Sequence, residues 1–279
     1  MSYGYIYGVG QQNYDLTVFT VATDRYILFW SEMVTSYLKS CNSKTRTQWI
    51  VFTDKEDQIS PELISRLGDS LLIVKITHRE WPFPTLLRYE YLLSVSHKVQ
   101  GRLLMHLDAD MLFLDNIDFQ VIEKSIGSKG IILVSHPGYY RPHGFRKINF
   151  YLRNLKYLIK DVKTIALYGG IGAWECNKSS LAFVPRKLRV NYVCGGVWIG
   201  RKNEIINLCT QLSSRIEEDL KFGIIASFHD ESHLNWYQSV HSFDLLSPEF
   251  CFEPSYPQLR GLNPKILAVN KNAEKTWQR

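Results

Sequence analysis

The feature that most constrains this chain is the alternation of uncharged strand-like runs with helical segments in its first half. Residues 16–21 (Leu-Thr-Val-Phe-Thr-Val) carry no charge and are β-branched or aromatic, which reads as a buried strand. A helix is expected from a cap at Asp24 to residue 38, with Ile27, Val34 and Leu38 on one stripe. Residues 48–52 are the next strand. Ser60 then caps a short helix with Pro61 at its first position and Gly68 at its end. Strands follow at residues 71–76, 102–107 and 131–135, with a helix over 86–99 that sets Leu87, Tyr91, Val95 and Val99 four apart. Later come a strand over 192–199, a helix over 204–220, a helix opening near Asp230 and a short strand over 266–269. A β-α-β-α-β order packs as a mostly parallel, Rossmann-like sheet flanked by helices, an α/β fold. No repeat or Pro/Ser linker divides the 279 residues, so a single domain is expected. Sites in such sheets lie at the carboxyl ends of the strands.

Composition excludes several classes. With 45% apolar and 22% charged residues the chain is not a disordered one. The longest apolar run, residues 26–30, is far short of the ~20 a membrane helix needs. Met1-Ser2-Tyr3-Gly4 opens no basic-then-apolar leader, so a soluble cytoplasmic protein without a membrane anchor is expected. Five scattered cysteines with no Cys-x-x-Cys pair argue against a disulfide framework and a structural zinc site. The net charge of +6 is concentrated in residues 141–163, with seven Lys and Arg against Asp161, and in residues 271–279. Such charge is a solvated face, or it attracts phosphate or nucleic acid.

Three motifs carry chemistry. The apolar run Leu103-Leu104-Met105-His106-Leu107 ends in Asp108-Ala109-Asp110. Acids i and i+2 at the end of a strand share a side, and two carboxylates so placed can hold a divalent cation that neutralises a diphosphate. Two solvated acids in a turn are the plainer alternative. Phe228-His229-Asp230-Glu231-Ser232-His233-Leu234-Asn235 crowds polar residues at a helix start. It is not the His-Glu-x-x-His zinc pattern. Asp230 and Glu231 suit a helix N-terminus, and Asp230 as a plain cap is the alternative. Cys194-Gly195-Gly196 places paired glycines in a strand, which admits a close backbone or ligand approach, or a bulge.

In order, these segments resemble glycosyltransferase family 6, the family of the histo-blood-group transferases and α1,3-galactosyltransferases. The anchors are Val51-Phe52-Thr53-Asp54, Arg88-Tyr89-Glu90, Asp108-Ala109-Asp110-Met111, His136-Pro137-Gly138-Tyr139-Tyr140, Cys194-Gly195-Gly196, the 229–235 string and Leu246-Ser247-Pro248-Glu249. The resemblance spans residues 16–271, including the soluble bacterial and viral type. It implies a GT-A fold with a donor half (about 14–130), an acceptor half (about 131–270) and a mobile tail (271–279). It implies a retaining transferase that moves GalNAc or Gal from a UDP-sugar to the 3-hydroxyl of a galactoside. By the same resemblance Phe19, Thr20, Val21 and Tyr26 hold uridine, and Arg88 and Lys271 meet the diphosphate. Asp108, Ala109 and Asp110 form the Mn²⁺ motif, with Asp108 and Asp110 as metal ligands. Gly195 and Gly196 face the donor sugar, Asp230 binds its hydroxyls, and Glu231 is the catalytic carboxylate. His136, Ala173, Cys194, Phe228, His229 and Glu253 fall at acceptor positions. Gly196 leaves room for an N-acetyl group and so favours UDP-GalNAc. The basic segment 141–172 departs from the family pattern.

Competing expectations are a dehalogenase-type phosphohydrolase, disfavoured because Met111 follows the acids mid-chain, and a non-catalytic carbohydrate-binding protein, disfavoured by the retained acids. Nucleic-acid binding would need a stacking aromatic face on a basic surface.

Overall fold

The structure is a computed structural model that describes residues 4–5, 13–40 and 45–269. In chain order the strands are β1 (Gly4–Tyr5), β2 (Tyr14–Val21), β3 (Thr47–Thr53), β4 (Leu71–Lys75), β5 (Gly101–Leu107), β6 (Met111–Phe113), β7 (Ile131–Ser135), β8 (Val193–Arg201), β9 (Asp244–Leu246) and β10 (Ile266–Ala268). The helices are α1 (Tyr26–Ser40), α2 (Pro61–Leu67), α3 (Phe83–Leu86), α4 (Arg88–Ser94), α5 (Phe119–Ser125), α6 (Phe145–Arg153), α7 (Leu155–Tyr168), α8 (Lys202–Lys221) and α9 (His229–His241).

The main sheet runs β1-β4-β3-β2-β5-β8-β7-β9. The block β4-β3-β2-β5 is parallel, and β8 joins it antiparallel through Leu107↔Val197. Alternation along the strands builds a core on each face. Leu16, Val18, Trp49, Val51, Leu103 and Met105 meet α1 and α2 on one side. Phe19, Ile50, Phe52, Leu104 and Trp198 meet α4, α8 and α9 on the other. These are the strands and helices of the α/β reading. The fold is that of the GT-A class, a mostly parallel sheet flanked by helices. Among the described residues no helix is long and apolar enough to cross a membrane.

Details differ from the sequence reading. The helix read over 86–99 is broken at Leu87 (φ −93°, ψ 5°) into α3 and α4. Its stripe Leu87, Tyr91, Val95 and Val99 is buried as the spacing predicts. The break places Arg88 at the start of a new helix, with its Nε donating to the carbonyl of Thr85 at 3.0 Å. The first helix starts at Tyr26, and Asp24 sits before it at φ 51°, its N–H donating to Asp54. The Ser60 cap is present, its hydroxyl accepting from Leu63 N–H at 3.2 Å.

After the 108–110 turn the chain forms β6, which pairs with β10. Val269 then donates its N–H to the Asp110 carbonyl at 2.9 Å. The β8 strand is fastened to α9 by Asn235, whose Oδ1 accepts from Val193 N–H at 2.8 Å and whose amide donates to the Val193 and Glu231 carbonyls, each at 2.9 Å. Removing that buried amide strands the backbone groups it satisfies. Asn235→Ala should therefore lower the unfolding free energy by about 2–3 kcal/mol in urea titration. A change within about 0.5 kcal/mol would contradict this role.

Candidate active site

The carboxyl ends of β2 and β5, the glycine pair of β8 and the start of α9 surround a cavity of about 890 Å³. That is the size of a small-molecule site, and it lies where open α/β sheets place their ligands. Val21, Tyr26, Arg88, Asp108, Ala109, Asp110, His136, Gly195, Gly196, Phe228, His229, Asp230 and Glu231 all line it.

Arg88 organises the wall. Only 3% exposed, it pairs with Asp108 Oδ1 at 3.0 Å through Nη1 and with Asp230 Oδ2 at 3.3 Å through Nε. Nη1 also donates to the Gly195 carbonyl at 3.0 Å. Burial works against the guanidinium charge, but Asp230 and Asp108 outweigh it and hold the pKa raised. The same Nη1 lies 2.5 Å from His106 Nε2. Accepting from Arg88 requires a neutral imidazole, and burial followed by the neighbouring Arg88 charge pulls His106 down to about 4. Sequence reasoning passed over His106, although it sits two residues before the acid pair and faces the same way.

Glu231 is held by two donors. Tyr192 donates its hydroxyl to Oε1 at 2.8 Å, and Gly195 N–H donates to Oε2 at 2.8 Å. Burial pushes its carboxyl up to about 7 against those two hydrogen bonds. Asp230 is likewise pushed up to about 7 by burial, opposed by Arg88. Tyr192 was not recognised from sequence: it is an aromatic residue at a strand start, packed edge-on against Trp174 at 5.1 Å, and nothing local marks it. Glu175 is a second omission. Its carboxylate accepts from Ser227 N–H at 2.6 Å and Asn177 N–H at 2.7 Å, which shapes the turn into α9.

The α9 start does not use Asp230 as a cap. Phe228 is the capping residue, and Ser232 Oγ accepts its N–H at 3.0 Å. His229 adopts φ 49°, a left-handed conformation uncommon for a side-chain residue, and packs edge-on to Trp81 at 5.0 Å. His233 turns away from the cavity toward buried Asp219, at 3.5 Å.

Both glycines lie close to the acids of the site. A Cβ on Gly195 would lie 3.1 Å from Glu231 Cβ and 3.3 Å from Asp230 Oδ2. A Cβ on Gly196 would lie 2.8 Å from Asp108 Oδ2 and 2.9 Å from Met111 Cε. His136 Nε2 approaches Glu231 Oε1 at 3.9 Å while its Nδ1 accepts from Gly138 N–H, so the hydrogen is on the nitrogen facing the site. Burial lowers His136 to about 4, which keeps it neutral.

Several expected residues are elsewhere. Phe19 is fully buried between His106 and Trp198, with ring centroids at 4.9 and 5.4 Å, and supports the wall from behind. Thr20 is also fully buried, and neither side chain lines the cavity. Cys194 is buried with its thiol against Cys251. Glu253 folds back on Ser255, accepting its N–H at 3.0 Å. Ala173 offers its carbonyl 3.3 Å from the Tyr192 hydroxyl. Lys271 lies outside the described residues.

Asp108 and Asp110 suit a divalent cation. Both are hard oxygen donors on the cavity wall. Six carboxylates (Asp24, Glu80, Asp108, Asp110, Asp230 and Glu231) and two arginines (Arg79 and the buried Arg88) line the cavity, an acidic balance that a metal relieves. No group of three or more metal-binding His, Cys, Asp or Glu exists among the described residues, so the remaining ligands must come from a bound diphosphate or water.

An acid pair closing a parallel strand beside such a cavity, on this sheet, is the arrangement of the GT-A fold class. Residues 171–277 match the model of glycosyltransferase family 6. The chain is 25% identical over 267 residues to histo-blood group ABO system transferase 1 of Rattus norvegicus, covering 92% of this chain and 66% of that protein. It is 24% identical over 269 residues to the O-antigen biosynthesis glycosyltransferase WbnI of Escherichia coli, covering 94% of this chain and 97% of that one. Globoside alpha-1,3-N-acetylgalactosaminyltransferase 1 of Gallus gallus is 24% identical over 272 residues and covered for 69% of its length. The chain matches the family 6 model over residues 171–277 and resembles these transferases over more than nine-tenths of its length. It spans about two thirds of the length of its rat and chicken relatives.

Proposed function

We propose that this chain transfers GalNAc or Gal from a UDP-sugar to the 3-hydroxyl of a galactoside with retention of configuration. The observation that carries the reading is the pairing of a twice-hydrogen-bonded Glu231 with the Arg88-clamped Asp108 and Asp230 across one cavity. Uridine rests near Val21 and Tyr26, and the diphosphate lies beside Asp108 and Asp110. A divalent cation bound there, Mn²⁺ in this reading, neutralises the charge that develops on the departing UDP. Lys271, outside the described residues, is the second positive group of this reading by the family resemblance alone. Asp230 and the backbone at Gly195 and Gly196 orient the donor sugar. Glu231 faces the anomeric carbon and stabilises its oxocarbenium-like charge. His136, with Phe228 and His229 on the rim, receives the acceptor. Phe19, Cys194 and Glu253 keep supporting roles in this reading, since their side chains point elsewhere.

Only the ionised Glu231 performs this role. With its pKa near 7, the ionised fraction and therefore the rate fall as pH drops through that value. The test is a panel of UDP-sugars with Mn²⁺, with and without a fucosylated galactoside, read by UDP release across pH. Wild-type turnover should show an acid limb near neutrality and should stop in excess chelator. Glu231→Gln should fold and bind UDP yet lose transfer by about 100-fold or more. Near-normal transfer by that variant sinks the assignment.

By the family resemblance, a glycine at position 196 favours UDP-GalNAc over UDP-galactose. Gly196→Ala should move the donor ratio toward UDP-galactose by about tenfold or more. It should also slow transfer from both donors, because the new methyl displaces the Asp108 carboxylate. An unchanged donor ratio would refute the first effect, and undiminished turnover with UDP-galactose the second.

A further inference from the structure

The basic segment 141–172 folds as a hairpin of α6 and α7 whose apolar side faces outward. On α7, Leu155, Leu158, Ile159, Val162 and Ile165 are all exposed, Leu155 by 61% and Val162 by 59%. Asp161 is the buried residue of that helix. On α6, Phe145, Ile148 and Leu152 form an exposed i, i+3, i+7 stripe, at 90%, 58% and 71%, while Phe150 turns inward. This is the reverse of a helix packed on a core. The rotation is set from inside. Arg141 grips Asp161 with Nε at 2.5 Å and Nη2 at 2.6 Å, and Tyr151 donates its hydroxyl to the same carboxylate at 2.8 Å. The Arg141 guanidinium also lies over the Phe150 and Tyr157 rings, at 5.8 and 5.4 Å. Arg186 and Arg189 donate to the last carbonyls of α7, those of Ala166, Leu167 and Tyr168. The outward stripe is therefore held in place.

Basic residues flank the stripe. At 100° per residue Lys156, Lys160 and Lys163 fall in a row along one side of the α7 apolar face. Arg146, Lys147 and Arg153 are exposed on α6. Among the described residues none of these six meets a carboxylate. At the base of α6 a cavity of about 310 Å³ is lined by Arg146, Arg153 and Arg260, with Gln258 Oε1 buried beside it and unpartnered. An exposed apolar stripe bordered by unpaired cations, with an arginine-lined cavity at its foot, has the chemistry of an interfacial helix on an acidic lipid surface. A second protein copy would bring the same cations and repel them.

We propose that the α6–α7 hairpin docks on an anionic phospholipid bilayer. Its apolar side chains enter the headgroup boundary, and its lysines and arginines meet lipid phosphates. The hairpin lies in the chain between His136–Tyr139 and Ala173, which adjoin Glu231 through His136 at 3.9 Å and through the Tyr192 hydroxyl. A lipid-borne glycan is the class of acceptor that a bilayer docked here would present. That last clause rests on the transferase reading, whereas the docking does not.

Vesicle co-sedimentation of the full chain tests the docking without any turnover. The protein should sediment with phosphatidylglycerol/phosphatidylcholine vesicles at low salt and be released in high salt, with little binding to phosphatidylcholine alone. Replacing Lys156, Lys160 and Lys163 by Gln should weaken binding by about tenfold or more. Replacing Leu152, Ile159 and Val162 by Ser should weaken it comparably, with near-UV circular dichroism unchanged in both variants. Absent sedimentation with anionic vesicles, or undiminished binding by folded variants, overturns the proposal. So does a dimer in sedimentation velocity that the serine variant dissociates, which would assign the face to a second copy.

Discussion

The site depends on one buried cation. Arg88 lies among apolar side chains of α4, and its guanidinium joins three distant parts of the chain: the end of β5 at Asp108, the β8 glycine at Gly195 and the first turn of α9 at Asp230. A charge so buried is tolerated only if its partners are in place, and leaving it unpaired would cost several kcal/mol. The two carboxylates are in turn held apart and in register by a rigid planar fork that a point-charge lysine cannot imitate. Glu231 follows from the same arrangement. Gly195 gives its carbonyl to Arg88 and its N–H to Glu231, so the backbone of one glycine links the clamp to the carboxylate proposed to carry the chemistry.

This arrangement explains the electrostatics. Asp108, Asp110, Asp230 and Glu231 face a cavity in which Arg88 is the buried positive group. Burial raises Asp230 and Glu231 to about 7 each, so the pair titrates near neutrality. His106 and His136, held neutral by burial, serve as fixed hydrogen-bonding groups and add no positive charge near neutral pH. Such a site is arranged to receive positive charge, whether a metal ion or a sugar carbon on its way to becoming one.

Much of this was legible in the sequence because strand ends and helix starts write their chemistry locally. Asp108 and Asp110 close an apolar strand, and Asp230 and Glu231 open a helix, so type and position announce a site. What the sequence hid was direction and partnership. Phe19 and Thr20 lie on a strand that leads to the cavity, yet the pleat turns both side chains into the sheet's cores. Cys194 precedes the two glycines, yet its side chain is buried in the core against Cys251. Tyr192 and Glu175 act through tertiary contacts that no local spacing predicts. The 229–235 string, one anchor of the resemblance, divides in the structure: its two acids face the cavity, while His233 and Asn235 fasten α9 to α8 and β8. The basic 141–172 segment gave charge but no orientation, because the outward turn of α7 is set by Arg141 reaching a buried Asp161.

One planar cation holds Asp108 and Asp230 and, through Gly195, Glu231, the carboxylate proposed to be catalytic. The most direct measurement is UDP-sugar turnover by Arg88→Lys, with folding checked by near-UV circular dichroism. Lysine keeps the charge and loses the fork. The account predicts a folded protein whose turnover falls by about 100-fold or more. A folded Arg88→Lys protein with near wild-type turnover would contradict it.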